Sequence, residues 1–192
     1  MSIQIVVSRY NEDMEWTKQF PNVVIYNKGA DDLSPEYNVK SLPNVGRECH
    51  TYYTHICDNY ADIEYDYTVF LQGNPFDHSP NLVTNLAKYA DSVVDLDFEF
   101  ISEDILYCKL SACVWDRSLP LRDIYRKIFV DQPEVVDFVF GKGAQFIVSR
   151  EQILKRSKDF YLNIVKMLEN EKDPMEGYVI ERFHKLIFVN SI

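Results

Sequence analysis

Tyr67-Thr68-Val69-Phe70-Leu71-Gln72-Gly73-Asn74-Pro75-Phe76-Asp77-His78 decides the fold. A run of strand-forming apolar residues stops at Gln72, and Gly73 and Pro75 then turn the chain. The N-terminus repeats the pattern: Ile3-Gln4-Ile5-Val6-Val7 leads into Ser8-Arg9-Tyr10-Asn11-Glu12-Asp13. Between the two, Asn44-Val45-Gly46-Arg47-Glu48 opens a helix. Polar loops at the ends of apolar strands lie in the crevice outside the carboxyl ends of an α/β sheet, where ligands sit.

Outward from these loops, hydrophobic periodicity sets the remaining elements. Residues 3–8 and 22–26 read as strands, with a short helix near 13–20 between them. Residues 28–43, with Gly29, Pro35 and Pro43, read as an irregular excursion. Cys49, Tyr52, Tyr53, Ile56 and Tyr60 line one face of a helix over 45–60. A strand over 66–72 precedes a helix near 80–90, introduced by Ser79-Pro80. Ser92-Val93-Val94-Asp95-Leu96 reads as a strand, 121–129 as a short helix, and 144–148 as a late strand whose following helix is capped by Ser149. An amphipathic helix over 174–187 closes the chain. Alternating strands and helices predict one α/β domain over 1–192, a mainly parallel, mixed central sheet flanked by helices.

With 192 residues, 46% apolar and 26% charged, the composition is that of an ordinary soluble globular domain. A secretory signal is not expected, and no run reaches the roughly 18 apolar residues of a membrane span. Clustered Lys and Arg are needed to hold a nucleic-acid backbone, and a formal charge of −10 argues against that partner. Cys49, Cys57, Cys108 and Cys113 fit neither a zinc pattern nor a dense disulfide framework. Cys49 and Cys57, about two helical turns apart, read as buried thiols, and the expectation is a reduced, cytoplasmic protein.

These motifs support a resemblance. Tyr10-Asn11-Glu12 after the first strand resembles the Tyr-Asn-Glu turn of the large inverting glycosyltransferase family with the GT-A fold. In that family an Asn-x-Gly helix start follows, then an apolar strand ending in a metal-binding Asp-x-Asp. Asn44-x-Gly46 matches the helix start, and strand 67–71 arrives at the expected distance. Gly143-Ala144-Gln145-Phe146-Ile147-Val148-Ser149-Arg150-Glu151 is similar to that family's Gly-rich strand running into an Arg-Glu helix. The block from Asn44 to His78 looks closer still to a smaller family of bacteria, fungi and some large viruses, much of it catalogued as a domain of unknown function. The resemblance spans nearly the whole chain. It implies transfer of a sugar from a nucleotide-diphosphate donor, a UDP-sugar favoured, to an acceptor hydroxyl on a glycan or glycoconjugate. The alternative is a catalytically silent nucleotide-sugar-binding module. A nucleotidyltransferase fits less well, because the loop 9–13 lacks glycines.

Where Asp-x-Asp belongs, this chain has Gln72-Gly73-Asn74, and amide oxygens are poor substitutes for carboxylates around Mg²⁺ or Mn²⁺. The nearest carboxylate, Asp77, reads either as the metal ligand or, with Ser79, as a cap of helix 80–90. A chain this acidic needs a strong local cation to hold a diphosphate. Mn²⁺ or Mg²⁺ held by the diphosphate together with Asp77 is therefore expected, and the late histidine of related enzymes offers His184 as a further ligand. Donor binding falls to Arg9, Tyr10, Asn11, Asn44, Gly46, Arg47, Gln72, Gly73, Asn74 and Arg182. Tyr10 offers a stacking face, the arginines face phosphates, and Arg47 stands where helix N–H groups favour an anion. Glu181 or Glu176 would take the acceptor's proton. Glu176 also completes a capping box with Asp173 at N-cap and Pro174 at N1. Glu181 and His184 share a polar helix face opposite Met175, Val179, Phe183 and Leu186, and Glu181 has a surface alternative in a pair with Lys185.

Overall fold

Side chains that alternate along the apolar runs build a sheet buried on both faces. The computed structural model describes residues 2–91, 96–113, 118–130 and 132–189. Its strands are β1 (Ile3–Arg9), β2 (Val23–Asn27), β3 (Val39–Ser41), β4 (Tyr67–Gln72), β5 (Phe98–Phe100), β6 (Ile105–Lys109), β7 (Asp137–Gly141) and β8 (Phe146–Ser149). Its helices are α1 (Arg47–Asn59), α2 (Leu82–Asp91), α3 (Leu121–Ile128), α4 (Arg150–Leu154), α5 (Lys158–Leu168) and α6 (Met175–Phe188). Six strands form one sheet in the order β3-β2-β1-β4-β8-β5, and β6 and β7 form a separate antiparallel ribbon. The β3-β2-β1-β4 half is parallel throughout, while β8 runs against both its neighbours. The expected α/β domain with a mainly parallel, mixed sheet is the architecture observed.

Val6, Val24, Phe70, Phe146 and Val148 face one layer, which contains α1, α3, α5 and α6. Ile5, Val7, Ile25, Val69, Leu71 and Ile147 face the other, with Leu82 and Leu86 of α2 and Met14. The predicted stripe of α1 is the buried one, and Ser149 caps α4 by accepting from the Gln152 amide at 3.2 Å. The region near 13–20 is a 3-10 helix over Glu15–Gln19, and the excursion 28–43 contains β3, too short to leave a period in the sequence. The ribbon β6–β7 and helix α5 had no counterpart in the sequence reading. The strand expected at 92–96 falls largely on residues outside those described.

The cysteine expectation divides. Cys49 and Cys57 are buried and free, but Cys108 and Cys113 are joined in a disulfide that clasps the turn after β6. The all-reduced reading is therefore corrected, and the cytoplasmic placement loses its cysteine support. Among the described residues no helix is long and apolar enough to cross a membrane.

The start of α1 is the sharpest bend near the sheet. Gly46 and Arg47 both have positive φ, 61° and 52°. A Cβ on Gly46 would lie 2.5 Å from the Leu168 carbonyl oxygen of α5. Gly46→Ala should therefore lower unfolding free energy by ~2 kcal/mol, from left-handed strain and the clash together. Urea denaturation of the variant beside wild type measures it, and an unchanged midpoint would contradict the account.

Candidate functional site

The parallel half of the sheet reverses its winding between β1 and β4: from β1 the chain proceeds to β2 and β3 on one side and to β4 on the other. Crevices at such switch points, beyond the carboxyl ends of the strands, are where open α/β sheets bind ligands. A cleft of about 750 Å³ lies there. It is lined by Ser8, Arg9, Tyr10 and Glu12 after β1, by Lys28 after β2, and by Asn44, Arg47 and Glu48 at α1. Gln72, Gly73, Asn74 and Asp77 after β4, with Lys172 and Asp173 before α6, complete it. A smaller cleft of about 300 Å³ at the opposite end of the strands, lined by Gln4, His55, Asn59 and Thr68 among others, gathers none of the predicted residues.

The two strand-end loops brace each other. Glu12 folds back so that its carboxylate accepts from the amides of Tyr10 (2.6 Å) and Asn11 (3.1 Å). That carboxylate lies against Gly73, where a Cβ would come within 2.4 Å of Glu12 Oε2. Trp16 Nε1 donates to the Gly73 carbonyl at 3.1 Å. The Gly73 position is thus kept bare by its neighbour. Tyr10 is 44% exposed, and Lys172 Nζ stands 4.9 Å from its ring centroid.

Arg9 lines the cleft, but its guanidinium is an internal strut. It donates to the Glu12 carbonyl (2.8 Å), Asn27 Oδ1 (2.9 Å), the Ala30 carbonyl (3.2 Å) and Asp32 Oδ1 (2.8 Å), and the residue is 4% exposed. Asn11 belongs to the same brace, accepting from the Ala30 amide at 3.1 Å, and does not line the cleft. The expected phosphate role of Arg9 is corrected: four of the five donors of this buried guanidinium hold loops together.

Arg47 sits where the sequence placed it. Its guanidinium stacks 4.4 Å from the Tyr178 ring centroid and donates to Asp173 at 3.0 Å. Two N–H groups of this turn are taken up within the chain: the Gly46 amide donates to Glu171 O (2.9 Å) and the Arg47 amide to Lys172 O (3.3 Å). Lys28, which sequence reasoning missed, is 8% exposed and donates through Nζ to the carbonyls of Val45 and Arg47. Burial pulls its ammonium down to about 8, against the raising effect of Glu48 and Cys49. A third ammonium hydrogen remains beyond its two carbonyl partners. Lys28 follows a strand directly, as Tyr10 and Gly73 do, and that position was the available signal.

Helix α6 overturns several expectations. It is packed on most sides by α1, α3, α5 and β7, so it has no broad polar face. His184 is 0% exposed, its ring lies 4.5 Å from that of Phe146, and Nδ1 is 2.8 Å from the Tyr53 hydroxyl. Burial holds the imidazole neutral by pulling it down to about 3. It is a core residue, not a metal ligand in the cleft. Arg182 is also buried, donates to the Tyr178 carbonyl (2.6 Å) and stacks over Phe140, so it does not line the cleft. Glu176 is in the first turn of α6 outside the cleft, and the capping box does not form. Pro174 takes the N-cap, while Asp173 accepts from Arg47 and from the Tyr178 hydroxyl (3.0 Å).

Glu181 lies behind the cleft. Its Oε1 accepts from the Gly143 amide at 2.9 Å, and its carboxyl is pushed well above the ordinary range, first by burial and next by the charge of Glu48. Among the described residues no group of three or more His, Cys, Asp and Glu could hold a metal ion. The pair Asp77 and His184 does not form, since Asp77 is exposed on the cleft and His184 is in the core. Of the two expected ligands, His184 is thereby corrected and Asp77 lines the cleft.

Fold and cleft together define an α/β protein with a polar crevice at the switch point of its sheet. The chain belongs to the family described as Protein of unknown function (DUF3431), which it matches over residues 5–192. No curated protein and no solved structure matches the chain.

Three buried histidines give the fold a defined acid response. His50, His55 and His184 are held neutral chiefly by burial, down to about 4, 3 and 3. An unfolded histidine regains its ordinary value near 6.5, so below that pH the unfolded chain binds more protons and stability falls as pH falls. His184→Gln should reduce proton uptake on unfolding at pH 5 by about one. The slope of unfolding free energy against pH, from urea titrations, checks this; an unchanged slope would mean that His184 titrates in the fold.

Proposed function

We propose that the switch-point cleft binds a nucleotide-diphosphate sugar and that the protein transfers the sugar to an acceptor hydroxyl. The observation that carries this reading is the cleft's composition. Exposed Tyr10 offers a face on which a base can stack, and Lys28, Arg47 and Lys172 stand beside it as cations. Phosphate oxygens are held well by such groups through charge-assisted hydrogen bonds. Gln72, Asn74 and Asn44 add the polar groups that ribose and sugar hydroxyls need. A UDP-sugar is the donor favoured, and a glycan or glycoconjugate is the acceptor class.

The leaving diphosphate gains charge as the sugar departs, and preorganised cations are the main way a site stabilises it. Arg47 is suited to this, because Tyr178 and Asp173 fix its guanidinium plane. No step is assigned to a metal: Asp77 is exposed on the cleft without the histidine partner once expected. The second reading, a silent binding module, rests on Gln72-Gly73-Asn74 standing where carboxylates were expected.

Arg47→Ala and Lys172→Ala should each weaken UDP binding about 10- to 100-fold, the range for losing a charge-assisted contact of ~1.5–3 kcal/mol. Chelator should change affinity less than either substitution. Isothermal calorimetry with UDP, and then with UDP-glucose and other nucleotide sugars, measures both. Wild-type protein that binds none of them would sink the reading, and binding without hydrolysis or transfer would select the silent module.

A further inference from the structure

Two consecutive residues between β7 and β8 wind left-handed. Gly143 has φ 76° and Ala144 φ 52°, and both are buried. An L residue such as Ala144 is strained there, and the strain persists only where surrounding contacts over-determine it. One such contact comes from α6: Glu181 Oε1 accepts from the Gly143 amide at 2.9 Å. A buried N–H without an acceptor is costly, so this carboxylate holds the turn in its observed form.

The turn in its place carries the loop that follows β4. A Cβ on Gly143 would lie 2.4 Å from His78 Cδ2, so the His78 ring rests on the bare Cα of Gly143. Gln145, 0% exposed, donates through Nε2 to the Pro75 carbonyl at 2.9 Å. The segment 101–104 ties loop and turn together from a third side. The Glu103 amide donates to the His78 carbonyl (2.9 Å), the Ile101 amide to the Gln145 carbonyl (3.0 Å) and the Lys142 amide to the Asp104 carbonyl (3.1 Å). At its start the loop is fixed by Trp16 Nε1 on the Gly73 carbonyl. Between these anchors Asn74 and Asp77 are exposed and line the cleft.

We propose that Glu181 is a positioning residue of the cleft: it sets the Gly143–Ala144 turn, and the turn sets where Asn74 and Asp77 stand on the cleft wall. Glu181 does not itself line the cleft, so it acts through the loop and not on a reacting atom. Its Oε2 stands 3.8 Å from Arg182 Nη1, a cation that offsets part of the cost of burying the carboxylate. The inference rests on the proposed function only for what Asn74 and Asp77 meet, the sugar hydroxyls of the donor. An amide and a carboxylate supply donors and acceptors for hydroxyls, and they select among ligands only if their positions are fixed. The base that sequence placed at Glu181 thus becomes a support.

Amide ¹H–¹⁵N NMR with hydrogen exchange, on wild type, Glu181→Gln and Glu181→Leu, tests the link without any ligand. Glu181→Leu should speed exchange of the Gly143 amide by about 10-fold or more. It should also shift the Asn74 and Asp77 amides, while those of Tyr10 and Asn11, held by Glu12, stay in place. Glu181→Gln keeps a side-chain oxygen as acceptor and should bring both readings back toward wild type. A part in overall stability alone would not single out the two loop amides. Should Glu181→Leu fail to fold, Glu181→Asp, which draws the acceptor back by one methylene, should move the same amides in the same direction by less. A Gly143 amide still protected, Asn74 and Asp77 unmoved, or Glu181→Gln as damaging as Glu181→Leu would overturn the proposal. Wild type that binds no nucleotide would leave these shifts standing, and unmoved shifts beside intact UDP binding would sink this inference alone.

Discussion

The left-handed junction at Gly46 and Arg47 is the constraint on which the cleft depends. Two successive residues at positive φ let the chain leave the irregular segment after β3 and enter α1 against α5. Strain of this kind persists only when surrounding contacts over-determine it. Here Lys28 bonds the carbonyls on both sides of Gly46, and the carbonyls of Glu171 and Lys172 hold the two amides. Arg47 is tied to Asp173 from the same segment. One turn thereby fixes the mutual positions of Lys28, Arg47, Glu48, Lys172 and Asp173, which come from three distant stretches of sequence.

The other wall follows the same logic with a different cation. Arg9 joins the ends of β1 and β2 to the loop at 30–32, much as Lys28 joins β2 to α1. In both cases a buried positive charge is directed at carbonyl or amide oxygens, the form in which charge can be taken out of water. Arg9 commits four of its five donors to this brace, and Lys28 two of its three.

Much of the fold was legible because β1, β2 and β4 are continuous apolar runs and α1 carries a clean helical stripe. The loops Tyr10–Asp13 and Gln72–Asp77 were legible for the same reason: they follow those strands, and the sheet's winding converges them. Helix α6 misled because burial on most sides erases the amphipathic pattern, so Glu181, Arg182 and His184 looked like a polar face. Lys28, Lys172 and Asp173 were missed because their roles come from the junction at Gly46, a long-range geometry that local periodicity does not encode. Cys108 and Cys113 pair because the turn after β6 brings them together, which spacing alone did not settle.

Charge placement makes the proposed anion site compatible with so acidic a chain. Arg9, Lys28, Arg47 and Lys172 stand against Glu12, Glu48, Asp77 and Asp173 along the cleft, so its formal charges balance. The surplus of −10 therefore lies elsewhere on the molecule. Glu12 and Asp173 are engaged by amides, by Arg47 and by Tyr178, which leaves exposed Lys172 on the cleft with less opposition. The outer negative field is screened beyond about 8 Å at physiological salt, while contacts inside a partly buried cleft are screened much less. Under the proposed function, a diphosphate would be repelled on the way in and held once inside.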